Sequence, residues 1–235
     1  MAAPPPDFEP TPALAWLRKY IWVVAAVLGI VTLTVLRTRL RNIPDPPAVM
    51  YTLPAYELVD HEGRPFTPET LRGKVWVAGF VFTNCPSTCP AVTRAMGSLR
   101  DRFDRMDIDI EMVSITVDPA RDTPEVLKAY AESVGAHTDH WRFVTGSTDD
   151  VRRLVREGFK LGIGDPTPVP GAPLADGGAM FDIAHSTQLA LVDTEGGVRG
   201  FYDIEPDGGL DEVFHRAQHV MAEAARAARA EARGR

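Results

Sequence analysis

The chain holds two cysteines, Cys85 and Cys89, in the stretch Phe82-Thr83-Asn84-Cys85-Pro86-Ser87-Thr88-Cys89-Pro90. A thiolate is both a nucleophile and a ligand for soft metals. It forms more readily where a helix amino terminus offers free N–H groups and the positive end of the helix dipole. A spacing of four puts two side chains on one side of a helical turn. Such a pair can close a disulfide or grip one soft ion. Pro90 suits a first helical turn, where a missing N–H costs nothing. Inert buried cysteines would fall within an apolar period, whereas these sit in a proline-punctuated loop. A purely structural disulfide across so short a loop would restrain little chain entropy.

The histidines are less specific. His215 and His219 are four apart on a helical pattern, with Asp211 four earlier, which is a zinc-compatible spacing. No third ligand motif accompanies them, so they read as a solvated helix face. His137 and His140 flank Thr138-Asp139 in a polar loop, and His61 lies in the turn Asp60-His61-Glu62-Gly63. Asp118 and Arg121 either order the loop facing the cysteines or serve ordinary turn chemistry. His185, 96 residues beyond Cys89, has no local spacing that links it to the thiols.

The elements around these residues alternate. Residues 74–82 are a continuous apolar run, as a buried central strand requires, and the cysteines follow at its carboxyl end. In open α/β sheets, ligands bind just beyond such strand ends. Residues 90–106 read as a helix, with Val92, Met96, Leu99 and Phe103 at spacings of three and four. A second buried strand covers 108–117, and Asp122-Thr123-Pro124-Glu125 opens the next helix, to about residue 134. A short strand at 141–144 precedes a helix over 148–161, then a long Gly/Pro loop over 162–178. Strands at 186–192 and 198–202 flank Glu195-Gly196-Gly197, a hairpin signal. A terminal helix covers 210–230. This alternation predicts an α/β sandwich.

Ahead of this domain the chain has a different character. Five prolines among the first fifteen residues predict a disordered tail. Residues 21–36, IWVVAAVLGIVTLTVL, carry no charge and lie between Arg18-Lys19 and Arg37, Arg39 and Arg41. Sixteen residues at 1.5 Å each span about 24 Å, and the flanking Trp16, Leu17 and Tyr20 extend the apolar surface toward a hydrocarbon core of roughly 30 Å. No small-residue cleavage pattern follows, so an uncleaved single transmembrane helix is expected rather than a signal peptide. Positive charge near the two ends leans weakly toward a cytoplasmic carboxyl domain. The expected division is a cytoplasmic tail at 1–19, an anchor at 20–37, a Pro-rich linker at 38–54, the α/β domain at 55–222 and an Ala/Arg-rich tail at 223–235.

The 235 residues carry 25 Lys and Arg against 32 Asp and Glu, a net charge of −7. That argues against nucleic acid as a partner. Two cysteines exclude a disulfide-stapled scaffold and a multi-cysteine zinc domain.

CPSTCP after an apolar strand resembles the Sco/SenC family of copper-binding, thioredoxin-like proteins that assist assembly of the binuclear copper centre in cytochrome c oxidase. Further matches follow in order. The segment from Thr116 to Glu125, TVDPARDTPE, is similar to the family's V-D-P-x-R-D-T-P, and Trp141-Arg142-Phe143-Val144-Thr145-Gly146 to its W-x-F-L-T-G. Ala184-His185-Ser186, followed by Leu191-Val192-Asp193, resembles its histidine strand, with Ala184 where an acidic residue is frequent. The likeness covers about residues 50–220.

The resemblance implies a thioredoxin-like sandwich, an amino-terminal anchor and copper bound by Cys85, Cys89 and His185. It implies as partners the copper-site subunit of cytochrome c oxidase and another copper carrier. It also places the domain outside the bacterial inner membrane, or in the mitochondrial equivalent, against the weak lean of the charge count. Cuprous copper is soft, prefers thiolate and accepts imidazole as a third donor. A copper chaperone is therefore the first reading. A membrane-anchored thiol–disulfide oxidoreductase acting through Cys85 and Cys89 is the second, although dedicated dithiol exchangers usually have C-x-x-C. A peroxidase is the third, but it would give a distant histidine no role.

Overall fold

The computed structural model describes residues 12–40, 45–84, 89–136, 140–173, 179–184, 186–204 and 208–234, with Cys89 by its backbone alone. The chain divides into two compact units, residues 1–44 and 45–235. The first contains α1 (Pro12–Leu40). A proline is tolerated at the first position of a helix, so the helix begins ahead of residue 20, within the stretch expected to be tail. Trp22, Leu28, Ile30 and Leu33 are exposed on it. Among the described residues, no helix is long and apolar enough to cross a membrane. Side chains of α1 are described only over 19–35, fewer than the roughly 20 residues a span takes.

The second unit runs β1 (Tyr51–Thr52), β2 (Leu58–Asp60), β3 (Pro65–Phe66), α2 (Pro68–Leu71), β4 (Trp76–Val81), α3 (Cys89–Arg105), β5 (Glu111–Thr116), α4 (Pro124–Ser133), β6 (Trp141–Thr145) and α5 (Thr148–Arg153). A π turn over Leu154–Gly158 follows, then β7 (Thr167–Pro173), β8 (Ala179–Asp182), β9 (Leu189–Val192), β10 (Gly197–Tyr202) and α6 (Gly209–Gly234). The main sheet has the order β1-β10-β9-β4-β5-β6-β2-β3. Its centre, β4-β5-β6, is parallel, and β9 lies antiparallel on β4. Every residue of β4 and β5 is buried, as continuous apolar runs require when both sheet faces are covered.

The covering layers follow from the alternation along β4. Gly79 faces α3, where a Cβ would stand 3.3 Å from Met96 Cγ. On the same face α6 joins α3 through Phe103 and Phe214, whose ring centres are 5.0 Å apart. Trp76 and Phe80 face the other way, against Phe159 at 6.1 and 5.1 Å. Helical elements thus close both faces of a mixed sheet, and the α/β sandwich is observed.

Several boundaries differ from those expected. The helix predicted over 148–161 is α-helical only to Arg153 and continues as the π turn, where Phe159 N donates to Leu154 O. Leu154, Val155 and Phe159 are all buried there, so packing against the sheet prevails over the regular helical period. The loop predicted over 162–178 contains β7, which pairs with β8 in a separate two-stranded ribbon. Prolines lack a ladder donor, but a ribbon of two edge strands tolerates them, and its register shifts between Pro168 and Pro173. The Ala-rich end of the chain continues α6 to Gly234, consistent with alanine's helix propensity.

The linker also ends earlier than expected. Met50 N and Leu53 N donate to Val198 O and Gly196 O, which makes residues 50–53 an edge of the sheet. Arg199, nearly buried, donates to Pro47 O, Asp193 and Glu223, tying this edge to the hairpin and to α6.

Candidate metal and redox site

Cys85 and His185, and the side chain of Cys89, lie outside the described residues. What positions them does not. Strand β4 delivers the chain to Thr83, and α3 takes it up again at Cys89, so Cys89 occupies a helix's first position. The first turns of α3 are held from two sides. Met96 packs on Gly79, and the Thr93 hydroxyl lies 2.9 Å from that of Tyr130 on α4.

The other end of the cysteine loop is held by a carboxylate. Asp122 is 1% exposed. It accepts hydrogen bonds from Thr83 Oγ1 at 2.5 Å, Thr83 N at 3.2 Å and Thr116 Oγ1 at 2.5 Å. Thr83 stands two residues before Cys85, so this buried group fixes where the loop leaves the sheet. Burial pushes the Asp122 carboxyl above the ordinary aspartate value, while the hydrogen bonds from Thr116 and Thr83 work the other way. The turn that presents Asp122 is itself braced. Asp118 N donates to Thr116 Oγ1, Arg121 pairs with Asp118 at 2.5 Å, and Asp122 N donates to Asp118 O.

In the sequence, Asp122 looks like part of a helix opening. The structure assigns the cap to Thr123, whose side chain accepts from Val126 N. Asp122 thereby turns toward Thr83 instead. Its signal in the sequence was weak: an acidic residue beside a good cap residue, with its threonine partners 39 and 6 positions away. Asp118 and Arg121 brace this turn. Of the remaining histidines, His61 Nδ1 accepts from Phe143 N in its turn, and His215 is exposed on α6.

The residues flanking His185 lie at the same end of the sheet as the cysteine loop. Strand β9 pairs antiparallel with β4 through Val192↔Trp76, Leu191↔Val77 and Ala190↔Ala78. The chain entering β9 through residues 186–188 therefore comes in where β4 leaves toward Thr83 and Asn84. Ile183 is buried, and Ala184 O accepts from Gly164 N at 2.8 Å. An open depression of about 480 Å³ lies beside this point, lined by Gly162, Ile163, Gly164, Ala184 and Ser186. At Gly164 a Cβ would come within 3.3 Å of Ala184, so the two segments pass close to one another.

The SCO1/SenC family model matches residues 46–221, which take in the whole main sheet. The chain belongs to the SCO1/SenC family. The SCO1 protein homolog of Bacillus subtilis is 31% identical over 175 residues, covering 74% of this chain and 84% of that protein. Among solved structures, BsSco, a member of the Sco family of cytochrome c oxidase assembly proteins in which a disulfide switch has been identified, superposes with a TM-score of 0.62 at 26% identity. It covers 75% of this chain and 98% of its own. Yeast Sco1 with copper bound gives a TM-score of 0.54 at 27% identity, over 69% of this chain and 86% of its own. The mixed fold described above is thus the Sco fold, and the thioredoxin-like architecture implied by the resemblance holds.

Proposed function

We propose that this SCO1/SenC protein is a membrane-anchored copper chaperone that binds one Cu(I) through Cys85, Cys89 and His185 and serves assembly of the binuclear copper centre of cytochrome c oxidase. The observation that carries the reading is the built loop: Asp122 secures its start at Thr83, and α3 begins at Cys89. The antiparallel pairing of β9 with β4 supports His185 as the third donor, because the flanking chain enters at the same sheet end. Two thiolates and an imidazole suit soft Cu(I), and the copper-bound yeast Sco1 is a relative by fold and sequence. In this reading copper is cargo. The chain's own task is to present two reduced thiols on one helical turn and to supply the imidazole from the segment that leads into β9. Anaerobic Cu(I) titration of the reduced full chain tests it. One copper per wild-type chain is expected, with affinity lowered by roughly ten- to a hundredfold in His185→Ala, since one donor of three is lost. Equal affinity in wild type and His185→Ala would remove the histidine from the site.

The second reading is thiol–disulfide exchange with the cysteines of the oxidase copper-site subunit. It is favoured by the disulfide switch identified in BsSco. The same His185→Ala variant separates the two, because thiol exchange has no need of the imidazole.

The anchor and its orientation complete the proposal. The apolar run over 21–36, set between basic clusters, is the anchor, and the copper domain faces the outer side of the membrane, where the target copper centre would be met. An impermeant thiol reagent applied to intact spheroplasts is expected to label Cys85. Labelling only after lysis would place the domain on the inner side.

A further inference from the structure

At the end of the sheet opposite the cysteine loop, the chain enters β5 through Asp109 and Glu111 and enters β6 through His140. The ladder fixes the starts at Glu111 and His140: Glu111 N donates to Val75 O at 3.1 Å, and Met112 N to His140 O at 2.7 Å. One ligand atom each from Asp109, Glu111 and His140 lies within 4.8 Å of the other two. His140 Nδ1 stands 3.5 Å from Asp109 Oδ1 and 3.4 Å from Glu111 Oε1. These separations suit donors around a metal better than a hydrogen bond. Bonds of about 2.0–2.2 Å in a tetrahedral site put neighbouring donors roughly 3.3–3.5 Å apart.

A second observation is independent of the clustering. Glu111 is 1% exposed; its Oε1, the oxygen nearest His140, pairs with Lys74, while its Oε2 accepts no hydrogen bond, and the shielded His140 Nδ1 has no hydrogen-bond partner either. A ring nitrogen facing two carboxylate oxygens calls for positive charge there, supplied by a proton on the nitrogen or by a cation held among the three groups. Two basic groups are near. Lys74 Nζ is 2.5 Å from Glu111 Oε1, and Arg142 Nη2 is 3.9 Å from Glu111 Oε2. Lys74 is 43% exposed, so its ammonium can swing into solvent and release the oxygen.

We propose that Asp109, Glu111 and His140 form a second metal site for a divalent first-row cation of the zinc type, separate from the thiol site. One imidazole and two carboxylates make a donor set for a borderline cation, not for Cu(I), so the two sites differ in the ions they select. Three protein donors leave the fourth position of a tetrahedral ion to water or to a group from a partner. Lys74 is the resident competitor, and the metal replaces its charge at Glu111.

Zinc titration against a chromophoric chelator tests this on the full chain in detergent, with Cys85 and Cys89 both changed to serine so that thiolates cannot contribute. One zinc per chain is expected. His140→Ala and Asp109→Asn should each weaken it by roughly a hundredfold, since a site of three protein donors cannot spare one. Both side chains are substantially exposed, and circular dichroism verifies that the variants stay folded. Lys74→Gln should tighten binding, an outcome that a merely structural ion pair would not give. Absence of zinc binding in the serine background, or undiminished binding in His140→Ala, overturns the proposal.

Discussion

Oxidising Cys85 and Cys89 to a disulfide is expected to abolish Cu(I) binding, and reduction to restore it. The oxidation removes two electrons and two protons from the dithiol and leaves neither sulfur as a thiolate. Two of the three proposed donors are lost, and one imidazole does not hold cuprous copper. Affinity should fall by at least about a thousandfold, since the soft donors carry the preference. The variants divide the two properties. Cys89→Ser should abolish both disulfide and copper, whereas His185→Ala should weaken copper yet leave disulfide formation nearly intact. A thiol-trapping redox titration, run beside copper binding for each protein, measures both. If the oxidised wild type binds Cu(I) as tightly as the reduced form, copper sits elsewhere and the shared site is wrong. Redox gating of this kind distinguishes a chaperone that must be reduced to load from a passive copper store.

Asp122→Ala should be among the most damaging single changes that spare the proposed ligands. It leaves the Thr83 amide and hydroxyl and the Thr116 hydroxyl without their acceptor in a buried place. Buried donors stripped of a partner cost about 1–3 kcal/mol each, so a loss of about 2–4 kcal/mol is expected after partial relaxation. With Thr83 released, the start of the cysteine loop is no longer fixed, and Cu(I) affinity should fall by about tenfold, as for loss of a ligand-orienting group. Asp122→Asn keeps the volume and one acceptor and should be milder.

The pH dependence separates charge from shape. The native carboxyl titrates above its unfolded value because burial disfavours the charged form. Below the unfolded value both states are protonated, and the group's contribution is fully present. As pH rises the unfolded chain ionises first, so this contribution is lost as pH passes through the raised native value. Urea unfolding across the acidic range should show that decline in wild type and lack it in Asp122→Asn. The same decline in both would show that another group is responsible.

The central elements were legible because their signals are local. The apolar run at 74–82 has the pattern of a strand covered on both faces, and β4 is buried throughout. Thr123-Pro124-Glu125 carries its own start signal, and α4 begins there. The expectations that failed involved competition between local pattern and distant packing. Prolines at 168, 170 and 173 announce a loop, but a partner strand at Ala179–Asp182 supplies a ladder that the local sequence does not reveal. The helical period over 148–161 is real, yet seating Phe159 against Trp76 and Phe80 shifts the chain into a π turn.

By itself the sequence determined the two thiols, their spacing of four and their place between a buried strand and a helix. These are properties of neighbouring residues, and neighbours constrain one another through backbone geometry alone. It also determined the hydrophobic run at 21–36 and the acidic balance of the chain. The tertiary structure decided what stands beside those residues. It set Asp122 under Thr83 across 39 positions, brought the segment before β9 to the sheet end where β4 leaves, and gathered Asp109, Glu111 and His140 at the far end. None of these has a sequence spacing that marks it. Strand pairing imposes each one, and pairing is settled by which faces bury apolar surface together, a quantity that exists only once the chain is folded.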